Sequence, residues 1–188
     1  MKPLVRAGWT VAAVACLWPW SPPPPPAGGL ALRLVGPFSS LAASVEWVRF
    51  DGALLHGRME HAYARAERAL ELDPRTPQGW IHLATHLVHD RGSAEATPDA
   101  AERRRWIAAG IDVLERGESL CRAPEELAWT RGLLWTWIAD SDGPTGLGWP
   151  GGPAAAVREA VGALERAAGL GHPRAAELIE ALGRSPGG

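Results

Sequence analysis

From Gly36 onward, apolar residues recur at intervals of three and four, and no run alternates with the two-residue period of a strand. This spacing predicts seven helices, near 38–56, 59–72, 77–90, 98–119, 124–140, 153–169 and 173–183. Their boundaries carry the expected punctuation. Asp73-Pro74 ends the second, Thr76-Pro77 opens the third and Ala123-Pro124 opens the fifth, because proline fits the first turn of a helix and no later one. Gly169-Leu170-Gly171 stops the sixth and His172-Pro173 starts the seventh. The fold class expected is all-α.

The fifth helix, Leu127 to Ile138, is apolar on nearly every face and is expected to be central and buried. Arg131 is its only charge. A desolvated guanidinium needs a carboxylate partner, so Arg131 is either one half of a structural ion pair or a contact for an anion or a peptide carboxylate. Six tryptophans (Trp47, Trp80, Trp106, Trp129, Trp135 and Trp137) fall on expected helices, most of them as core. An aromatic cage for a cation or sugar is the alternative.

Small residues on the second helix (Ala62, Ala66, Ala69) precede Leu72-Asp73-Pro74, and then Trp80, Leu83, Ala84 and Leu87 follow in a W-x-x-L-A-x-x-L pattern. Gly110, Leu114 and Gly117 echo the first set, as do Ala160, Leu164 and Ala167. Trp47 with Phe50, and Gly132 with Trp135, echo the second. These residues resemble the tetratricopeptide repeat, in about three degenerate units over roughly residues 44–170. The resemblance implies antiparallel helix pairs stacked as a short TPR-like α-solenoid, with a groove that binds a protein or peptide and no catalysis. It places Gln78, Thr85 and His89 in that groove and His82 at its edge. The carboxylate-clamp subtype uses Lys and Asn on the groove face. Ile81 and Thr85 stand at those positions here, so a chaperone-tail role is doubtful.

Ahead of this region, residues 1–20 carry Lys2 and Arg6 before an apolar stretch that ends at Trp20, and residues 21–35 form a Pro/Gly-rich linker with five consecutive prolines. A basic start followed by an apolar segment and a stiff spacer reads as a signal-anchor that tethers the helical domain, residues 36–188. The stretch is short for a span, which needs about 17–25 residues. Ala13-Val14-Ala15-Cys16 also resembles a lipobox without its leading Leu, so a cleaved or lipidated leader and no membrane role both stay open. With the positive end inside, the domain faces the extracytoplasmic side; a cytoplasmic location is the alternative.

Composition narrows the functions further. A net charge of −2 over 188 residues excludes a strongly basic nucleic-acid binder, and no nucleic-acid partner is expected. Lys2 is the single lysine, so Arg103-Arg104-Arg105 reads first as ordinary surface charge. The two cysteines, Cys16 and Cys121, leave the helical region one thiol and no internal disulfide, and Cys121 reads as a small buried hydrophobe.

The sharpest constellation lies on the third helix. His82, His86 and His89, followed by Asp90, share one face of an α-helix through spacings of four and three. They can serve as groove contacts, as solvated histidines or as a zinc site, although three ligands on one helix strain tetrahedral geometry and no H-E-x-x-H is present. Asp140-Ser141-Asp142-Gly143 opens like a calcium loop but lacks its closing Glu. There is no G-x-S-x-G and no phosphate-loop G-K-[ST]. The expected protein is therefore a non-catalytic interaction scaffold without cofactor, probing a partner protein or peptide through Gln78, His82, Thr85, His89 and Arg131. A structural subunit of a membrane assembly and a metal-binding helical protein are the alternatives.

Overall fold

In the computed structural model, seven helices make up the regular structure of the described residues, 38–141 and 146–184, and no strand occurs among them. The chain divides into two compact units between Leu72 and Asp73.

The first unit holds α1 (Ser39–Leu55) and α2 (Met59–Leu72). The turn between them follows from a glycine. Gly57 takes φ +68°, which lets its N–H donate to Leu54 O and the Arg58 N–H donate to Ala53 O. These two bonds satisfy the last carbonyls of α1 as a Schellman motif. The Arg58 carbonyl then accepts from Ala62 N–H in the first turn of α2. The two helices pack as a hairpin. Small residues allow the close approach: Ala43 and Ala53 on α1, and Ala62, Ala66 and Ala69 on α2, are buried with Phe50 and Leu70. Trp47 meets Phe50 edge to face at 5.4 Å.

The second unit holds α3 (Pro77–Thr85), which continues into a π-helical turn (His86–Arg91), then α4 (Ala100–Glu118), α5 (Pro124–Ser141), α6 (Gly152–Gly169) and α7 (Ala175–Arg184). α4 packs against α3, the π turn and α5; α5 packs most extensively on α6, and α6 on α7. Its largest fully buried side chains are Ile107, Leu114, Leu127, Ile138, Leu164 and Val88, each contributing about 1.5–3 kcal/mol of burial. Glycines set the closest approaches. A Cβ on Gly117 would lie 2.7 Å from Trp80 Cγ and 2.8 Å from Leu127 Cδ1, so the indole occupies the space that a side chain would need. Gly132 likewise admits Leu164, whose Cδ2 would be 2.6 Å from an added Cβ.

The helices start and stop close to where the spacing puts them, with instructive differences. α4 begins at Ala100 rather than 98 because Asp99 caps it, its Oδ1 accepting from Glu102 N–H at 2.7 Å. α5 is buried on one side only: Leu133 is exposed, while Trp129 and Trp137 are half-buried. Of the six helical tryptophans, Trp80, Trp106 and Trp135 are buried and the other three are half-buried. Cys121 is not a core residue. It lies half-exposed in the α4–α5 turn, its Sγ donating to Arg75 O and accepting from Ala123 N–H, both at 3.3 Å. Trp149 turns inward and meets Trp135 edge to face at 5.1 Å. Arg104 holds the same loop by donating from Nη1 to Leu147 O at 2.7 Å. The leader, residues 1–20, the linker, 21–35, and positions 142–145 of the calcium-like loop lie outside the described residues. No helix among the described residues is long and apolar enough to cross a membrane.

Candidate functional site

The α3 segment opens with Pro77 at its first turn, behind Thr76, whose Oγ1 donates to Asp73 Oδ2 at 2.8 Å. Trp80 fastens the segment to the unit, its Nε1 donating to Pro74 O at 2.9 Å while its ring fills the notch at Gly117. With Trp80, Leu83 and Ala84 turned inward, Gln78 and His82 are exposed on the opposite side and Thr85 is half-buried. These three residues form a continuous polar strip at the spacing expected of a helix face.

The π turn then breaks the histidine alignment. A π turn closes its hydrogen bonds over five residues, here Gly92 N–H to Leu87 O, and so rotates less per residue than an α-helix. His89 is therefore not carried back over His82. Instead His82 is exposed, His86 is buried, and His89 is half-buried with its ring edge to face on Trp137 at 4.7 Å. His86 Nδ1 lies 2.8 Å from Asp90 Oδ2. Burial holds His86 below the usual imidazole range, against the pull of Asp90, and nearby Arg91 and His82 push in the same direction as burial. His89 is lowered by burial too, again opposed by Asp90. A neutral His86 donates its Nδ1–H to the Asp90 carboxylate. No group of three or more His, Cys, Asp or Glu among the described residues is arranged to hold a metal ion.

Arg131 joins three helices. Its Nη1 donates to Glu115 Oε1 at 2.7 Å and its Nη2 lies 3.0 Å from Glu118 Oε1, both carboxylates on α4. Glu118, only 5% exposed, also accepts from Arg166 Nε of α6 at 2.5 Å. The guanidinium is thus engaged by two carboxylates, the structural pairing that its position on an apolar helix requires. Two residues before Arg131 on α5, Trp129 stacks on His172 with centroids 4.4 Å apart and planes 13° from parallel. His172 Nδ1 accepts from Arg174 N–H at 3.4 Å just before α7, so it serves the helix start.

Two features of the first unit have no counterpart among the expected site residues. Phe38, Leu41, Val45, Val48 and Leu55 are all exposed, and with Gly52 they follow a 3-4-3-4-3 spacing down the outer face of α1. That signal stands in the sequence, masked by the inward pair Trp47 and Phe50. Beside the stripe is a cleft of about 350 Å³ lined by Arg49, Gly52, Ala53, His56, Arg58, His61 and Arg65. Its residues come from two helices and a turn, so no local motif announces it.

Comparison with family models, with curated proteins and with solved structures finds no match to this chain.

Proposed function

We propose that the chain is a non-catalytic interaction scaffold, tethered to a membrane by its N-terminal segment, that docks a helical segment of a partner protein on the outer face of α1. The observation that carries this reading is the exposed stripe. Val48 is 72% exposed and Leu55 87%, and a run of large apolar side chains left in water at heptad spacing marks a surface awaiting another helix. Arg49 and His56 border one edge of the stripe, so the partner helix meets a polar margin there. Gly52 leaves a gap between Val48 and Leu55, with nothing within 4 Å of an added Cβ, into which one partner side chain fits.

Within this reading the helix pairs stack as a short TPR-like α-solenoid. What supports that reading is that consecutive helices α4, α5 and α6 pack on one another in chain order, closely at Gly117 and Gly132. Gln78, His82 and Thr85 form a second, polar contact strip, which His89, turned against Trp137, does not join. Arg131 serves the scaffold rather than the ligand, because its guanidinium already meets two carboxylates.

The test is site-specific photo-crosslinking in membranes of cells producing the full chain. A crosslinker at Val48 should capture one partner polypeptide, and Leu41→Asp in the same chain should abolish the adduct. The same crosslinker at the exposed Glu159 on α6 should capture none. Lipid adducts alone at Val48, or identical products from both positions, would reject the docking face.

A further inference from the structure

The cleft beside α1 has a composition suited to one chemical class of ligand. Three guanidinia line it, from Arg49 on α1, Arg58 in the turn and Arg65 on α2, together with the imidazoles of His56 and His61. The carboxylate set among these groups is Glu46, whose Oε1 accepts from Arg49 Nη1 at 2.9 Å and whose Oε2 accepts from Arg65 Nη1 at 3.0 Å. Glu46 is itself buried, so it is a fixed strut rather than a surface counter-ion. Burial raises its pKa, but the two arginines, Arg65 foremost, outweigh that and hold it below the usual carboxylate range. Each of the two arginines gives Glu46 one terminal nitrogen, and both line the cleft with guanidinium donors beyond that bond.

Arg58 makes no side-chain ion pair among the described residues, and its place is set by the backbone. The Schellman bond from Arg58 N–H to Ala53 O, which Gly57 permits at positive φ, puts the arginine at the mouth between the two helices. His56 points an imidazole nitrogen, Nδ1, at Gly52 O at 2.6 Å, which fixes its ring at the end of α1. Among the guanidinia that line the cleft and the carboxylate that joins two of them, three positive charges face one negative one. That leaves a surplus of two positive charges in a space near the low end of ligand-cavity size, about 300–1,000 Å³.

We propose that this cleft binds a phosphate-type dianion, the terminal phosphoryl group of a phosphomonoester. Arg58 is the principal contact, and Arg49 and Arg65 present the donors that Glu46 leaves open. Guanidinium forks match the oxygen spacing of such a group, and charge-assisted bonds to it are the stronger kind. The proposal does not depend on a partner occupying the α1 stripe. A membrane lipid with a phosphomonoester headgroup and a soluble phosphoester offer the same chemistry.

The experiment is titration of the full chain in detergent with inorganic phosphate at constant ionic strength, followed by calorimetry. Saturable binding is expected, weakened about tenfold or more by Arg58→Gln, a change of about 1.4 kcal/mol or more. His61→Gln should weaken it as well. Arg68→Gln, which removes an exposed charge of α2 outside the cleft, should leave it unchanged. Circular dichroism of each variant establishes that the helices persist. Repeating the titration in micelles containing phosphatidic acid separates the sources. Competition by that lipid assigns the site to a headgroup, and its absence assigns it to a soluble phosphoester. No saturable phosphate binding, or equal losses in Arg58→Gln and Arg68→Gln, would overturn the site.

Discussion

His86 carries a charge question into the interior of the second unit. Its folded-state pKa lies below the ordinary 6.5 because burial disfavours the imidazolium more than Asp90 favours it, and His89 is lowered for the same first reason. The unfolded chain therefore takes up these protons before the folded one does, so acid favours unfolding. Stability should be full above about pH 6.5 and decline as the pH falls through the lowered values. Thermal melts from about pH 8 to about pH 5.5 should show that decline, and His86→Gln should flatten it; an unchanged slope would mean that His86 takes no part in it. Arg131 makes a different prediction. Replacing it with Met leaves the buried Glu118 with Arg166 alone and should cost about 3–5 kcal/mol, whereas Glu115→Gln, at a half-exposed carboxylate, should cost less than about 1 kcal/mol. Urea unfolding of the two variants compares them directly. The need for a carboxylate near Arg131 is legible in the sequence, because a lone charge on an apolar helix demands one. Which carboxylates supply it is not, since Glu115, Glu118 and Arg166 come together only through the packing of three helices.

At the scale of the elements, the helix boundaries were readable because proline, glycine and capping residues act through their immediate neighbours. The π turn was not. Nothing in His86–Arg91 itself demands the wider turn, and the spacing of His82, His86 and His89 is that of an ordinary α-helix. Gly92 is part of its setting, for a Cβ there would clash with Val88 O and lie 2.8 Å from Ile107 Cγ1. The consequence is geometric: the three imidazoles part company, and the polar strip is left to Gln78, His82 and Thr85. The small residues of the repeat-like pattern sit at helix contacts, and Gly117 tests this. Gly117→Ala forces the added methyl against Trp80 and Leu127 and should cost about 1–3 kcal/mol by urea unfolding. Trp80→Ala should cost about 3–5 kcal/mol through the cavity it leaves, and a value near zero for either would remove this contact from the account.

For the whole molecule, helical content was the most legible property and function the least. An all-helical chain follows from periodicity, which acts along the sequence. A docking face follows from what stays uncovered after packing, and a cleft follows from which turns bring distant arginines together. The stripe on α1 was written in the chain as Phe38, Leu41, Val45, Val48 and Leu55, but the same helix also carries Trp47 and Phe50, and the inward pair alone matched the repeat pattern. Only burial separates the two faces. The basic cleft needed in addition the α1–α2 turn, where Gly57 sets the place of Arg58.

We propose above all that α1 presents a face to another polypeptide. Native mass spectrometry of the full chain, isolated with its bound polypeptides in mild detergent, is the sharpest test. We expect a complex whose mass is this chain plus one different polypeptide, reduced to the chain alone by Leu41→Asp with Val48→Asp. The bare chain from the unsubstituted protein, or a complex that survives both substitutions, would contradict it.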